Sequence, residues 1–158
     1  MIRLGLAIDV ARPVHEVFAY LTDPGSLREW QGTHEVDQLT DGPVGRGTRF
    51  REVHLMMGRR IESITEVVAY EPDRRFDVHV VSGPMPMDGS WELEPVGSGT
   101  RVHFSTEGHG PKAARLLEPL MAIAMRRRFR RQHERLKRAV EGRVGEPAAS
   151  RSDADQGR

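Results

Sequence analysis

Glu52 and His54 stand two residues apart in a stretch that reads as a β-strand, so their side chains emerge on one face, together with Phe50 and Met56. If that face turns inward, a carboxylate and an imidazole project into apolar surroundings, the setting that tunes a general acid or base. The opposite face carries Val53 and Leu55 but begins with Arg49 and Arg51, so the alternation leaves either face free to be the inner one. The chain has seven histidines, and the others offer less. His79 shares its face with Asp77 against the more apolar Phe76, Val78 and Val80, and His103 opposes Val102 and Phe104, so both are expected to face solvent. His133 falls on the apolar side of a helix with Phe129, Leu136 and Val140, where a histidine is more often a satisfied core residue than a catalyst. His109 lies in a glycine-rich lead to that helix.

No two histidines stand at a metal-ligand spacing, and there is no cysteine. No metal or cofactor is therefore expected, and thiolate nucleophiles and disulfides are excluded. The run Gly42-Pro43-Val44-Gly45-Arg46-Gly47 contains a proline and precedes a strand, not a helix, so it is no phosphate-binding loop.

The elements that must position Glu52 and His54 follow in a definite order. Leu4, Leu6, Ile8 and Val10 alternate in a strand over Arg3 to Ala11. Pro13 then opens a helix with Val14, Val17, Phe18 and Leu21 at helical spacing, and Asp23 and Pro24 end it and begin a second short one that closes near Trp30. Strands are predicted over His34 to Thr40, Thr48 to Met57, Arg59 to Tyr70, Arg75 to Ser82, Ser90 to Val96 and Thr100 to Glu107, with tight turns at Gly58 and at Gly97-Ser98-Gly99. A last long helix carries Leu117, Met121, Met125, Phe129, Leu136 and Val140 on one side, and Leu116, Leu120 and Ile123 widen that stripe. One sheet of this length needs a cover for one face, and this helix is the only long one on offer.

At 158 residues the chain suits one domain, placed at residues 1–141, and the aperiodic Gly, Pro, Ala, Ser, Asp and Arg text of 142–158 is expected to be a disordered tail. A formal net charge of +1 provides no bulk attraction for nucleic acid. The first ten residues lack the continuous apolar stretch of a signal peptide, and no segment has the length and apolarity of a transmembrane helix, so a cytoplasmic protein, monomer or homodimer, is the expectation.

The runs ARPVHEVFAYLTDP (Ala11 to Pro24), Leu27 and Trp30, GPVGRGTRF (Gly42 to Phe50), TEVVAYEPDRRF (Thr65 to Phe76) and WELEPVGSGTRV (Trp91 to Val102) together resemble the polyketide cyclase/dehydrase and lipid-transport group of the START/Bet v 1-like superfamily. The resemblance implies an α+β helix-grip fold, an antiparallel sheet of six or seven strands wrapped around a long C-terminal helix, with two short helices after the first strand. It also implies a ligand tunnel between sheet and helix.

The wall of that tunnel is expected to include Trp30, Phe50, Met56, Phe76, Val78, Trp91, Leu93 and Phe104 from the block and sheet, with Met121 and Met125 from the helix. Met85 and Met87, in a proline-rich link, would adapt to ligands of different shape. The expected partner is a polyketide-, lipid- or isoprenoid-like molecule. One alternative is a polyketide cyclase, aromatase or dehydratase in which cavity shape folds the substrate and His54 or Glu52 moves protons. A second is an interaction module using Arg126, Arg127, Arg128, Arg130 and Arg131, a cationic run that suits an anionic partner. The same run also reads as the solvated side of a helix, with some arginines paired to Glu52, Glu62, Glu66, Glu92 or Glu94 of the sheet.

Overall fold

A computed structural model of the protein describes residues 1–110 and 112–143. Strand β1 (Ile2–Val10) leads into helices α1 (Val14–Thr22) and α2 (Leu27–Trp30), separated by a 3-10 turn at Pro24–Ser26. Strands β2 (Glu35–Gln38), β3 (Arg49–Met56), β4 (Arg59–Glu71), β5 (Arg75–Ser82), β6 (Met87–Val96) and β7 (Gly99–Gly108) follow, then a 3-10 segment at Lys112–Leu117 and helix α3 (Glu118–Glu141). All seven strands form one antiparallel sheet in the order β1-β7-β6-β5-β4-β3-β2. Register shifts at Ile64/Thr65 and at Val67/Ala69 interrupt the β4–β5 ladder. Such bulges bend and twist a strand, which lets the sheet curl towards a helix.

The local devices are those the residue types demand. Asp23 accepts a hydrogen bond from the Gly25 amide and so starts the turn into α2. The β3–β4 hairpin turns on Met57 and Gly58, whose φ values of 51° and 76° are both positive, as the tightest hairpins require. At Gly99 a Cβ would stand 2.7 Å from the Val10 carbonyl oxygen, so only glycine lets β7 begin against the end of β1.

The core face of the sheet carries Leu4, Phe50, Val67, Phe76, Trp91, Leu93, Val102 and Phe104, covered by Val17, Phe18 and Leu21 of α1, Trp30 of α2, and Leu136 and Val140 of α3. Helix α3 packs on β1, α1 and α2, and its C-terminal end is tied down where Glu141 accepts a hydrogen bond from the Ala11 amide. The outer face is a ladder of charge pairs: Arg101 with Asp9 and Glu94, Arg49 with Glu66, Arg75 with Asp77, and Arg51 with Asp37, Glu35 and Glu62. These guanidinium groups hold the Asp9 carboxyl below its ordinary range, and Arg60 does the same to Glu35.

Four expectations from the sequence need correction. Strand β6 begins at Met87, not Ser90, because the Met87 and Gly108 backbones pair and carry the ladder into the proline-rich link. Leu116, Leu120 and Ile123 do not widen a buried stripe: they are 94%, 66% and 53% exposed, since Leu120 and Ile123 fall on the side of α3 away from Met121, Met125, Leu136 and Val140, and Leu116 precedes the helix. No described ion pair joins the arginines of α3 to the sheet glutamates, because Glu62, Glu66, Glu92 and Glu94 lie on the sheet face away from α3 and Glu52 is engaged by His54. Gly142 and Arg143 are not part of a disordered tail: the Gly142 amide bonds the Arg138 carbonyl, and Arg143 sits 4.5 Å over the Tyr20 ring. The remainder of the expected tail, 144–158, lies outside the described residues.

Candidate functional site

Strand β3 turns the face with Phe50, Glu52 and His54 toward the core side. Phe50 pairs with the buried Thr65, and both lie on the side of Val67, Val78 and Phe76. Arg49 and Arg51 occupy the other face, where the outer carboxylates engage them. The side chains of Glu52 and His54 are 12% and 20% exposed, and His54 Nε2 lies 3.3 Å from Glu52 Oε2. With a carboxylate as its neighbour, the neutral imidazole places its proton on Nε2 and donates it to Glu52. Nδ1 is then left with a lone pair. That nitrogen is buried and has no hydrogen-bond partner.

This pair lies toward one end of the grip, and the topology identifies that end. The β3–β4 turn, the β5–β6 link, the start of β1, the end of β7 and the start of α3 all fall there. Ile2 pairs with Gly108, the His109 amide bonds the Pro86 carbonyl, and the Met1 amino group meets Glu118. All seven methionines of the chain are on these segments: Met1, Met56, Met57, Met85, Met87, Met121 and Met125. Met85, Met87, Met121 and Met125 are half-buried, whereas Met56 is exposed and Met57, at the hairpin tip, is 98% exposed.

The other end is filled. Trp91 donates its indole N–H to His133 Nε2 at 3.0 Å, while His133 Nδ1–H donates to the Phe129 carbonyl at 2.7 Å. Ring centroids of Trp91 and Phe104 are 4.9 Å apart, those of Phe104 and His133 4.6 Å, and those of Trp30 and His133 5.5 Å. His133 is completely buried among these rings, and desolvation pushes its pKa down to about 4. It is therefore a neutral core residue with both nitrogens satisfied. Nearby, burial and the Glu29 carboxylate that accepts its O–H push the Tyr20 phenol above its ordinary range.

Of the expected wall, Trp30, Phe50, Phe76, Trp91, Leu93 and Phe104 pack against one another as core. Val78 packs on the edge of this core, while Met85, Met87, Met121 and Met125 stay partly accessible toward the end of the grip where Glu52 and His54 also lie. The Trp30 indole N–H and the Thr33 hydroxyl are also buried without partners, a feature of the α2–β2 corner that periodicity does not reveal. His79 and His103 face outward and lie against Asp88 and Glu94. Two shallow hollows lie outside the grip, one over β1, β6 and β7 and one on the outer side of α3. Among the described residues no cluster of His, Asp and Glu could hold a metal ion, and no helix is long and apolar enough to cross a membrane.

Sheet order, terminal helix and the short helical block define a helix-grip protein of the Bet v 1-like type. Residues 1–141 match the family described as polyketide cyclase/dehydrase and lipid transport, and the chain belongs to that family. Among solved structures, TTHA0849 from Thermus thermophilus is similar at 20% identity and a TM-score of 0.77, over 90% of this chain and 99% of that one. A conserved protein from Geobacillus kaustophilus aligns at 16% identity and a TM-score of 0.72, over 90% and 96% of the two chains. Ara h 8.0201 aligns at 13% identity and 0.70, over 89% and 97%. At such identities the likeness is one of fold. No curated protein sequence matches the chain.

Proposed function

We propose that the protein binds an apolar small molecule of the polyketide, lipid or isoprenoid kind at the methionine-rich end of the grip, between the first half of α3 and strands β3 to β6. The observation that supports this reading is that Met85, Met87, Met121 and Met125 stay partly accessible at the same end of the grip as the Glu52–His54 pair, whereas the other end is packed with aromatic rings. Unbranched thioethers re-pack around guests of different outline, so such a rim accepts a class of shapes and not one. Glu52 and His54 supply a polar anchor. Burial of the apolar body provides affinity, and a hydroxyl on the ligand satisfies Nδ1, which orients it.

The same nitrogen supports a catalytic reading. A carboxylate that fixes an imidazole through one nitrogen, and leaves the other buried without a partner, is the arrangement of a general base. In a cyclase or dehydratase, His54 Nδ1 would take a proton from a substrate carbon or hydroxyl, with Glu52 stabilising the imidazolium that forms.

Native mass spectrometry of the purified chain, with extraction and identification of what co-purifies, tests the binding reading. A bound apolar molecule displaced by Met121→Arg supports it. A chain that stays empty against aromatic polyketides, fatty acids and isoprenoids overturns it. Turnover of a polyketide-like substrate that disappears in His54→Gln, with binding retained, would favour the catalytic reading.

A further inference from the structure

Between Leu116 and Met125 the chain carries one charged residue, Glu118, which is engaged by the Met1 amino group. Met121, Ala122 and Met125 occupy the sheet-facing side of this stretch, so its other side should be polar in an ordinary surface helix. Instead Leu120 and Ile123 point away from the sheet, and Leu116 and Leu117 stand exposed just before them. The tip of the β3–β4 hairpin adds Leu55, Met56 and Met57, and the end of β5 adds Val81, all exposed at the same end of the molecule. This end of the fold is apolar on its outside, as interaction surfaces are.

The charges around it that take part in no described ion pair are cationic. Arg59, Lys112, Arg115, Arg126, Arg127, Arg130 and Arg131 are exposed and take part in none of the described ion pairs. Glu107 is paired with Arg3 and Glu62 with Arg51, and Asp88 is hydrogen-bonded to His79. Two copies placed end to end would bring these cationic rims together, so the charge opposes self-association through this surface.

We propose that this end of the protein docks on an anionic membrane surface, with Leu116, Leu120, Ile123 and Met57 entering the interface and the arginines of α3 meeting lipid phosphates. The spacing along α3 fits that task. From Leu120 to Arg127 the helix rises about 10 Å at about 1.5 Å per residue, comparable with the depth of roughly 5–10 Å to which interfacial helices bury their apolar side. Arg126, Arg127, Arg130 and Arg131 would then lie level with the headgroups while the apolar turns sit beneath them. The proposal stands apart from the ligand reading, because it uses the outer side of α3 and the hairpin tip, not the inner side.

Cosedimentation of the full chain with vesicles of phosphatidylcholine plus phosphatidylglycerol, and with phosphatidylcholine alone, tests it. Binding to the mixed vesicles that weakens with added salt, with far weaker binding to phosphatidylcholine, is the expected result. Each of Arg127→Gln and Arg130→Gln should weaken binding about fivefold, the effect of one basic residue near an anionic surface, while Arg127→Lys restores most of it. Leu120→Ser should weaken it by about tenfold or more. These side chains are exposed, so thermal melting should not change. Arg74→Gln, at the opposite end by the β4–β5 turn, serves as the control and should bind as the parent does. Absence of binding to the mixed vesicles at low salt overturns the proposal. So does equal loss of binding in Arg74→Gln, or a solution dimer that Leu120→Ser dissociates.

Discussion

His133 makes the fold acid-sensitive by an amount that the structure lets one estimate. Its imidazole is buried among Trp30, Trp91 and Phe104, with no carboxylate against it, and its pKa is lowered from 6.5 to about 4 by desolvation, with the hydrogen bond to the Phe129 carbonyl opposing the shift. In the unfolded chain the ring takes up a proton near 6.5, whereas in the folded chain it resists until about 4. The unfolded state therefore binds more protons throughout that interval, and stability falls as pH drops through it. Above about pH 7 the ring is neutral in both states and contributes no pH dependence. The gap of about two and a half pH units, at about 1.4 kcal/mol each, sets a full loss of about 3–4 kcal/mol, about three-quarters of it reached by about pH 4.5. That is a large part of the stability of an ordinary domain, about 5–15 kcal/mol. Urea unfolding at about pH 7.5 and about pH 4.5 measures the loss, and His133→Gln isolates it. Glutamine keeps an acceptor within reach of the Trp91 indole and cannot titrate, so the variant, less stable at neutral pH, should lose about 2–3 kcal/mol less on acidification. Contributions from groups that the substitution does not touch cancel in the comparison. Parallel losses in the parent and His133→Gln would refute the reasoning.

Three further outcomes are expected. Trp91→Phe removes the donor to His133 Nε2 and strands a buried acceptor, so urea unfolding should show a loss of about 1–3 kcal/mol beyond the change in packing. Gly99→Ala places a Cβ 2.7 Å from the Val10 carbonyl oxygen and should cost about 1–3 kcal/mol by the same assay, whereas Gly45→Ala, with open space around it, should cost less than about 1 kcal/mol. His54→Gln should leave the melting temperature nearly unchanged, because the side chain stands at the accessible end of the grip, yet weaken binding of a hydroxyl-bearing ligand about fivefold to tenfold in a fluorescence titration. Equal effects on melting and binding would make His54 structural.

The sequence by itself determined the order and type of nearly every element. Apolar alternation in β1, β5 and β7, Pro13 and Asp23 at the helix starts, and glycine at positive φ in the β3–β4 turn are local physics, legible without a partner. The outward positions of His79 and His103 were legible for the same reason, since each stands on the less apolar face of its own strand. Tertiary structure decided what local pattern leaves open. Strand β3 offers two faces of similar apolarity, and the arginines of one were assigned to the outside only by the carboxylates of β2 and β4 that lie opposite them. Leu120 and Ile123 are spaced like helical core positions, yet they fall on the side of α3 away from Met121, Met125, Leu136 and Val140, and only the packed structure says which apolar side the sheet receives. The partner of His133, the unpartnered Nδ1 of His54 and the convergence of every methionine on one end depend on side chains far apart in the chain meeting in space. Periodicity says which side of an element is apolar. Only packing says which of its apolar residues are covered.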